Sequence, residues 1–392
     1  MSLGRSPRSR RCRRAAAVAI AAVAVGAQIT AAFAAPGSWT IAPSPNPPAS
    51  LATLASISCP AATSCFAVGD AFAHGKDRSL VEHWDGTAWS VTPTPGLTVI
   101  GGLSAVSCAS VRFCTAVGSR FVGGTGLAHT LVALWDGSSW SRIPSPTPGQ
   151  GAGLSGVSCV GTSNCVAVGE SISASGSERT LIEGWDGTRW SVIASPSPSG
   201  GGSSLSGVTC LEASSCFSVG EHAPSPQRLR TLIEQWDGRS WTIAPSPNVG
   251  SSSMSKLSGV ACTGMNVCVA VGSYVGAEGS ATLAEGWDGS SWRIAPSANP
   301  ASGSGSLLGV SCTRATDCVA VGIGVTGVGV NTTLIEQRQG ARWALVGHPN
   351  PKPSRGGVLL GVACAVPTEC VAVGYNFPTV SAQATLVEQQ SR

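Results

Sequence analysis

The sequence predicts an all-β fold: a seven-bladed β-propeller of four-stranded antiparallel blades, its last blade completed by the N-terminal strand. Three observations predict it. A unit of 49 to 52 residues recurs seven times, marked by the first cysteine of a Cys-x5-Cys pair at 59, 108, 159, 210, 262, 312 and 364. Each unit holds four short β-type runs, and four antiparallel strands about every 50 residues are the mark of a propeller blade. A solitary fourth-strand sequence, WTIAPSPN from Trp39 to Asn46, precedes the first unit, and the seventh unit stops after its third strand.

The chain opens on a segment read as a signal peptide over residues 1–34. Arg5, Arg8, Arg10, Arg11, Arg13 and Arg14 make a basic region, an apolar run starts at Ala15, and Ala32-Phe33-Ala34 has the form of a cleavage site. A retained membrane anchor is the alternative; the Ala-rich run, broken by Gly26, Gln28 and Thr30, favours cleavage. Ser9-Arg10-Arg11 hints at the twin-arginine route, but Arg13 and Arg14 stand where apolar residues should follow. The propeller is expected over 35–392, with approximate blades at 51–96, 101–148, 152–199, 203–248, 255–300, 306–350 and 357–390, the last joined by 37–47.

The third unit illustrates the blade. Leu154–Cys159 is a small-residue first strand, as crowding around an axis requires, and Cys165–Gly169 opens the second. TLIEGW (Thr180–Trp185) is the third strand, and Trp190–Ile193 the fourth. Asp186-Gly187 between the last two is a tight-turn signal, because Gly accepts the positive φ that such turns require. A Trp opens the fourth strand at 39, 89, 140, 190, 241, 292 and 343. Trp39 therefore belongs to blade seven, where it is expected to pair with Thr385–Glu388 and pack near Leu386.

Charge and cysteine content bound the function. The chain has 24 Lys and Arg against 20 Asp and Glu. Six of the Arg lie in the leader, so the remainder carries 18 basic and 20 acidic residues, net −2. No electrostatic case for nucleic acid or an anionic membrane survives. With 3 Lys against 21 Arg the composition suggests a high-GC bacterial genome. Cys12 falls in the leader. The other fourteen form the pairs Cys59/Cys65, Cys108/Cys114, Cys159/Cys165, Cys210/Cys216, Cys262/Cys268, Cys312/Cys318 and Cys364/Cys370. With no His or second Cys pair at zinc spacing, they read as local disulfides of an exported protein.

The layout resembles kelch-type propellers. The resemblance rests on a second strand ending in Gly (Ala167-Val168-Gly169), an aromatic-Asp closing the third (Trp185-Asp186), and Trp190 opening the fourth with Pro196 soon after. It spans 37 to 390 and implies a seven-fold closed ring. A single Gly replaces the kelch doublet, Trp replaces the usual Tyr, and the cysteine pair is an addition. The Trp-Asp is also similar to WD-type blades, whose Gly-His partner is absent.

No catalytic constellation stands out. A copper site of galactose-oxidase type needs Tyr and His ligands, and only Tyr274, Tyr375 and five scattered His exist. A sialidase-type site needs a Tyr nucleophile with a carboxylate and clustered Arg; its S-x-D-x-G-x-x-W box is only echoed by WDGxxW. No metal cluster, phosphate loop or nucleophile elbow appears. Asn331-Thr-Thr333 is a glycosylation triplet that reads as accidental in a bacterial chain. The recurrent third-strand Glu (82, 183, 234, 285, 336 and 388, with Ala133 breaking the series) is expected to accept hydrogen bonds from a neighbouring turn. The two Trp of each blade are expected to pack between blades.

The loops are the remaining signal. The Cys-x5-Cys and Asp-Gly turns share one face and are uniform; the second-to-third and fourth-to-first loops share the other and vary. Variable loops on a rigid frame are where binding usually resides. The expectation is a secreted binding or scaffold module, extracellular or held at the cell surface. It recognises a glycan or protein through the variable-loop face, without a cofactor and as a monomer that neither inserts into a membrane nor binds nucleic acid. The alternative is an extracellular hydrolase or lyase of polysaccharide with its site at the channel mouth.

Overall fold

The computed structural model describes Ser38 to Gln390, apart from 48–50, 74, 98–99, 124–125, 251–253, 277–278, 301–303, 341 and 352–353. The expected leader, Gly37 and the Ala32-Phe33-Ala34 site lie outside the described residues. In the third blade, Gly151–Cys159, Cys165–Ile172, Glu178–Trp185 and Trp190–Ile193 pair in that order as one antiparallel sheet. The other six blades repeat this order around a ring, with seven inner strands lying side by side.

One device explains the inner half of every blade. The first strand carries a bulge after its buried Leu, between Leu154 and Gly156 in the third blade and at the matching place in the other six. A bulge bends its strand and breaks the even spacing of the ladder. It drives the first strand's backbone against the second strand, where Gly169 sits: a Cβ there would lie 2.1 Å from the carbonyl oxygen of Gly153. Gly69, Gly118, Gly220, Gly272, Gly322 and Gly374 meet the same obstacle at 1.9 to 2.1 Å. The Gly of each Ala-Val-Gly (Ser-Val-Gly in blade four) is thus required by close approach rather than by φ.

The core lies in the seams. Seven buried apolar clusters each draw on two neighbouring blades. Trp190 packs with Val117 and Val132 of the preceding blade, and Trp241 with Val168 and Ile182 of the blade before it. Serine hydroxyls stitch the inner strands together; the N–H of Cys159 donates to Ser107 Oγ at 3.0 Å and that of Cys210 to Ser158 Oγ at 3.0 Å.

All fourteen cysteines outside the leader are paired as disulfides across the hairpin of first and second strands: Cys59–Cys65, Cys108–Cys114, Cys159–Cys165, Cys210–Cys216, Cys262–Cys268, Cys312–Cys318 and Cys364–Cys370. The pairing matches the sequence reading, and the structure adds the depth of the bridges. The second cysteine of every pair is buried: Cys65, Cys114, Cys165, Cys216, Cys268, Cys318 and Cys370 are at most 2% exposed. Each belongs to a different seam cluster, and its partner packs half-buried on the edge of that cluster. The reason is register. The second cysteine already stands in the second strand, opposite the Trp that ends the third, as Cys65 faces Trp84, Cys114 faces Trp135 and Cys268 faces Trp287. A sulfur there is core volume as well as a crosslink.

The ring closes with the N-terminal strand. Trp39–Ala42 pairs antiparallel with Ala382–Gln390, completing the blade begun by Gly357–Val366 and Glu369–Thr379. Trp39 shares a buried cluster with Leu386, Leu359 and, from blade six, Val321 and Ile335. The register differs from expectation. Trp39 faces Gln390 and Ala42 faces Val387, so the pairing runs two residues beyond Thr385–Glu388. The reason is that the Trp stands opposite the last residue of the third strand in other blades too, as Trp190 does against Trp185. Further stitches join blades seven and one: Leu51 bridges Gln383, whose Nε2 donates to Thr53 Oγ1 at 2.6 Å.

Candidate functional site

The two ends of the ring spend their polar groups differently. On the uniform face the turn between third and fourth strands is longer than the two residues that Asp-Gly suggested. Trp185 pairs with Trp190, leaving Asp186 to Arg189 as a four-residue loop with Gly187 at φ 94°. Asp186 Oδ1 accepts from the N–H groups of Thr188 (2.8 Å) and Arg189 (2.9 Å) and from the Thr188 hydroxyl (2.6 Å). These donors favour the ionised form and hold the carboxyl low, at about 2. The indole N–H of Trp185 donates to the carbonyl of Thr162, which docks the turn on the disulfide hairpin of its own blade. The turn carboxylates and the third-strand indoles of Trp135, Trp185, Trp236 and Trp287 are thus engaged in the face's own scaffolding.

The third-strand glutamates are fully buried, and the hydroxyl of the preceding blade's Pro-Ser-Pro turn (Ala-Ser-Pro before Glu234, Pro-Ser-Ala before Glu336) reaches them. Ser195 Oγ lies 2.9 Å from Glu234, Ser246 Oγ 3.0 Å from Glu285, Ser297 Oγ 2.9 Å from Glu336 and Ser44 Oγ 2.9 Å from Glu82. Ser145 makes the same bond to Glu183. Glu388 instead faces His348 Nδ1 at 3.3 Å. Ala133 takes the glutamate's place where the preceding turn has Thr94 rather than Ser. These are clamps between blades, and they bring no carboxylates together at the axis.

The channel waist is formed by the bulges. It encloses about 240 Å³ and is lined by Ala55, Ser104, Ser155, Ser206, Ser258, Leu308, Leu360 and the two residues after each. None of its lining residues is charged, and at the bulge positions four serines stand on one side and Leu308, Leu360 and Ala55 on the other. A channel-centred hydrolase or lyase finds no acid, base or Arg at this level.

Ionisable groups gather nearer the variable-loop face, at the position after each second-strand Gly. Asp70, Glu170 and Glu221 stand there in blades one, three and four, and Tyr375 in blade seven. Asp70 lies in the seam against Gly102 of blade two. Glu170 is raised by burial and then by Glu178 and Glu221; Glu221 is raised by burial and by Glu178, with Lys256 opposing. Sequence reasoning did not single these out. The signal was positional: the residue after Ala-Val-Gly, which is Asp, Ser, Glu, Glu, Ser, Ile and Tyr around the ring.

Glu178, which raises both Glu170 and Glu221, lines a groove of about 600 Å³ between the loop ending at Ser177 and the loop Pro198–Gly202. Its lining carries Ser177, Glu178, Arg179 and Ser199, and the run Gly200-Gly201-Gly202. Gly201 is forced, since a Cβ there would lie 1.7 Å from the Ala223 carbonyl oxygen, and Gly200 takes a φ of 94° that favours glycine. Among the described residues, no three His, Cys, Asp or Glu side chains group as a metal site.

No protein-family model matches the chain, and no curated protein matches it. Among solved structures it is similar to YCF48 from Cyanidioschyzon merolae, at 14% identity over 90% of this chain and 99% of that one, TM-score 0.54. It is also similar to YCF48 bound to D1 peptide, at 12% identity over 90% and 97%, TM-score 0.51. A polysaccharide lyase, an ulvan lyase bound to -[GlcA(1-4)Rha3S]-, matches at 8% identity over 90% and 94%, TM-score 0.55. Identities this low carry the fold alone. The chain is a seven-bladed β-propeller with one disulfide in every blade.

Proposed function

We propose that this chain is a secreted, divergent kelch-like propeller that serves as a binding or scaffold module, recognising a glycan or protein through its variable-loop face. The observation that carries the reading is the groove beside Glu178 and Arg179. It is polar, glycine-rich and open, whereas on the uniform face the turn carboxylates and third-strand indoles are engaged in their own turns. Exposed Glu and Arg with serine hydroxyls suit sugar hydroxyls or a polar peptide backbone. The disulfides fit export to an oxidising compartment. YCF48 bound to D1 peptide and the ulvan lyase bound to -[GlcA(1-4)Rha3S]- share the architecture.

A second reading has one observation in its favour. Glu170 and Glu221 are raised by burial and lie within electrostatic reach of Glu178, which lines this groove; a carboxyl raised by burial is in the environment of a general acid. An immobilised panel of neutral, uronic-acid and sulfated polysaccharides tests both. Retention by a panel member, abolished in Glu178→Ala and Arg179→Ala, supports binding. Turnover that disappears in Glu170→Gln or Glu221→Gln replaces it with catalysis. Retention unaffected by either loop substitution removes the groove from the account.

A further inference from the structure

Some inter-blade clamps contain more hydrogen-bond contacts than hydroxyl hydrogens. In the seam between blades four and five, Thr231 Oγ1 lies 3.2 Å from the Pro247 carbonyl oxygen and 2.8 Å from Ser246 Oγ, which in turn lies 3.0 Å from Glu285 Oε2. In the closing seam, Thr385 Oγ1 lies 3.1 Å from Asn46 Oδ1 and 2.7 Å from Ser44 Oγ, which lies 2.9 Å from Glu82 Oε2. The main-chain N–H of Thr385 donates to the same Asn46 oxygen at 2.8 Å, which marks that atom as an acceptor.

Each chain thus runs from an acceptor-only oxygen through two hydroxyls to a carboxyl. Three gaps need three hydrogens, and two hydroxyls supply two. A proton on the carboxyl completes the set: Glu donates to Ser, Ser to Thr, and Thr to the carbonyl or amide oxygen. With the carboxylate ionised, one gap holds two facing lone pairs and a charge is buried without a counter-ion. We propose that Glu82 and Glu285 are held as neutral carboxylic acids donating into these relays, so that the ring is closed by protons and loosens when they leave.

The surroundings agree. Both side chains have no exposure, and their cross-strand neighbours are Ala67 and Val91 for Glu82, Ala270 and Ile294 for Glu285. From the facing blade come only Ser44 and Thr385, or Ser246 and Thr231, and no charged group acts on either carboxyl. Burial pushes Glu82 up to about 7 and Glu285 up to about 8. The seam between blades five and six holds the same relay: Thr282 Oγ1 lies 3.2 Å from Asn299 Oδ1 and 2.9 Å from Ser297 Oγ, and Glu336, which also receives the Ala298 N–H at 3.2 Å, is likewise pushed up by burial to about 7.

The test is the melting temperature of the disulfide-bonded chain from pH 5 to pH 9, for wild type, Glu285→Gln and Glu82→Gln. Gln keeps a donor toward Ser at every pH. The wild type should melt progressively lower as pH rises, while each Gln variant matches it at pH 5, exceeds it at pH 9 and shows a flatter profile. Infrared difference spectra supply a readout independent of the variants' folding: a buried protonated-carboxyl stretch in wild type at pH 6, lost by pH 9. A wild-type profile that is flat or rises with pH, or absence of that band, overturns the proposal. So does a Gln variant that folds but is destabilised at pH 5 as much as at pH 9.

Discussion

Trp39→Ala probes ring closure where the chain's two ends meet. The ring of Trp39 is 4% exposed and packs against Val321 and Ile335 of blade six and Leu359 and Leu386 of blade seven. Truncating a buried Trp costs about 3–5 kcal/mol, a large share of the roughly 5–15 kcal/mol that keeps a domain folded. Trp241→Ala supplies the control, because Trp241 occupies the same place within a continuous blade and is 5% exposed. If the N-terminal strand is an ordinary fourth strand, both substitutions lower stability by similar amounts in urea unfolding. They should differ in one respect. Trp39 is carried by a four-residue strand paired to its blade with no hairpin turn joining them, so its loss should also expose residues 38–47 to protease, while Trp241→Ala, in a strand tied to its partner by the Asp237–Ser240 turn, leaves its blade resistant. Deleting 38–47 goes further, removing the Ser44 link to Glu82 and Thr385 and leaving the edge of Ala382–Gln390 bare. Aggregation in size-exclusion chromatography is the expected outcome. A deletion variant that stays monomeric with an unchanged unfolding midpoint refutes the closure mechanism.

Gly169→Ala should cost at least about 1–3 kcal/mol, since its Cβ would collide with the Gly153 carbonyl oxygen, while Gly286→Ala, with open space around it, should be neutral; paired denaturation curves decide. Replacing Cys159 and Cys165 together by Ala should cost at least about 2 kcal/mol from the lost crosslink, with a further loss where the buried Cys165 sulfur leaves the seam, and the ring should stay intact by circular dichroism. Stability should peak near pH 5. Carboxyls raised by burial, such as Glu183 and Glu234 at about 7, contribute stability that is complete below their unfolded value of 4.5 and lost as pH rises through 7. The turn carboxylates Asp85, Asp136 and Asp186, held at about 2 by hydrogen bonds, contribute above 3.8 and lose it as pH falls through 2. Melting scans from pH 2 to pH 9 should show both flanks.

Much of the ring was legible because its devices repeat at fixed spacing. Cys-x5-Cys and WDGxxW mark the ends of paired strands, and the stray Trp39 strand could only belong to a blade lacking one. The spacing revealed the disulfide partners but not their depth: that Cys114 or Cys318 enters a seam depends on which side of the second strand faces the next blade. The bulge was not legible, since one extra residue in a strand changes no composition. Its trace was the Gly of Ala-Val-Gly, required by a carbonyl in the neighbouring strand. The clamps were half legible: the glutamate series stood out, but its partner Ser lies 38 or 39 residues away in another blade. The substitutions at Ala133 and His348 make sense only once blades are adjacent. Asp70, Glu170 and Glu221 escaped notice because the position they share is occupied differently in each blade, and the hairpin loop length was hidden because Asp-Gly also begins four-residue turns.

Hydrogen exchange of the full disulfide-bonded chain, with and without the best-retained member of the polysaccharide panel, decides whether recognition belongs to the variable-loop face. Protection should appear at Ser173–Arg179 and Pro198–Gly202 and be absent from the Asp85–Ala88 and Asp186–Arg189 turns. Protection confined to those turns, or none at the groove under saturating ligand, contradicts the assignment.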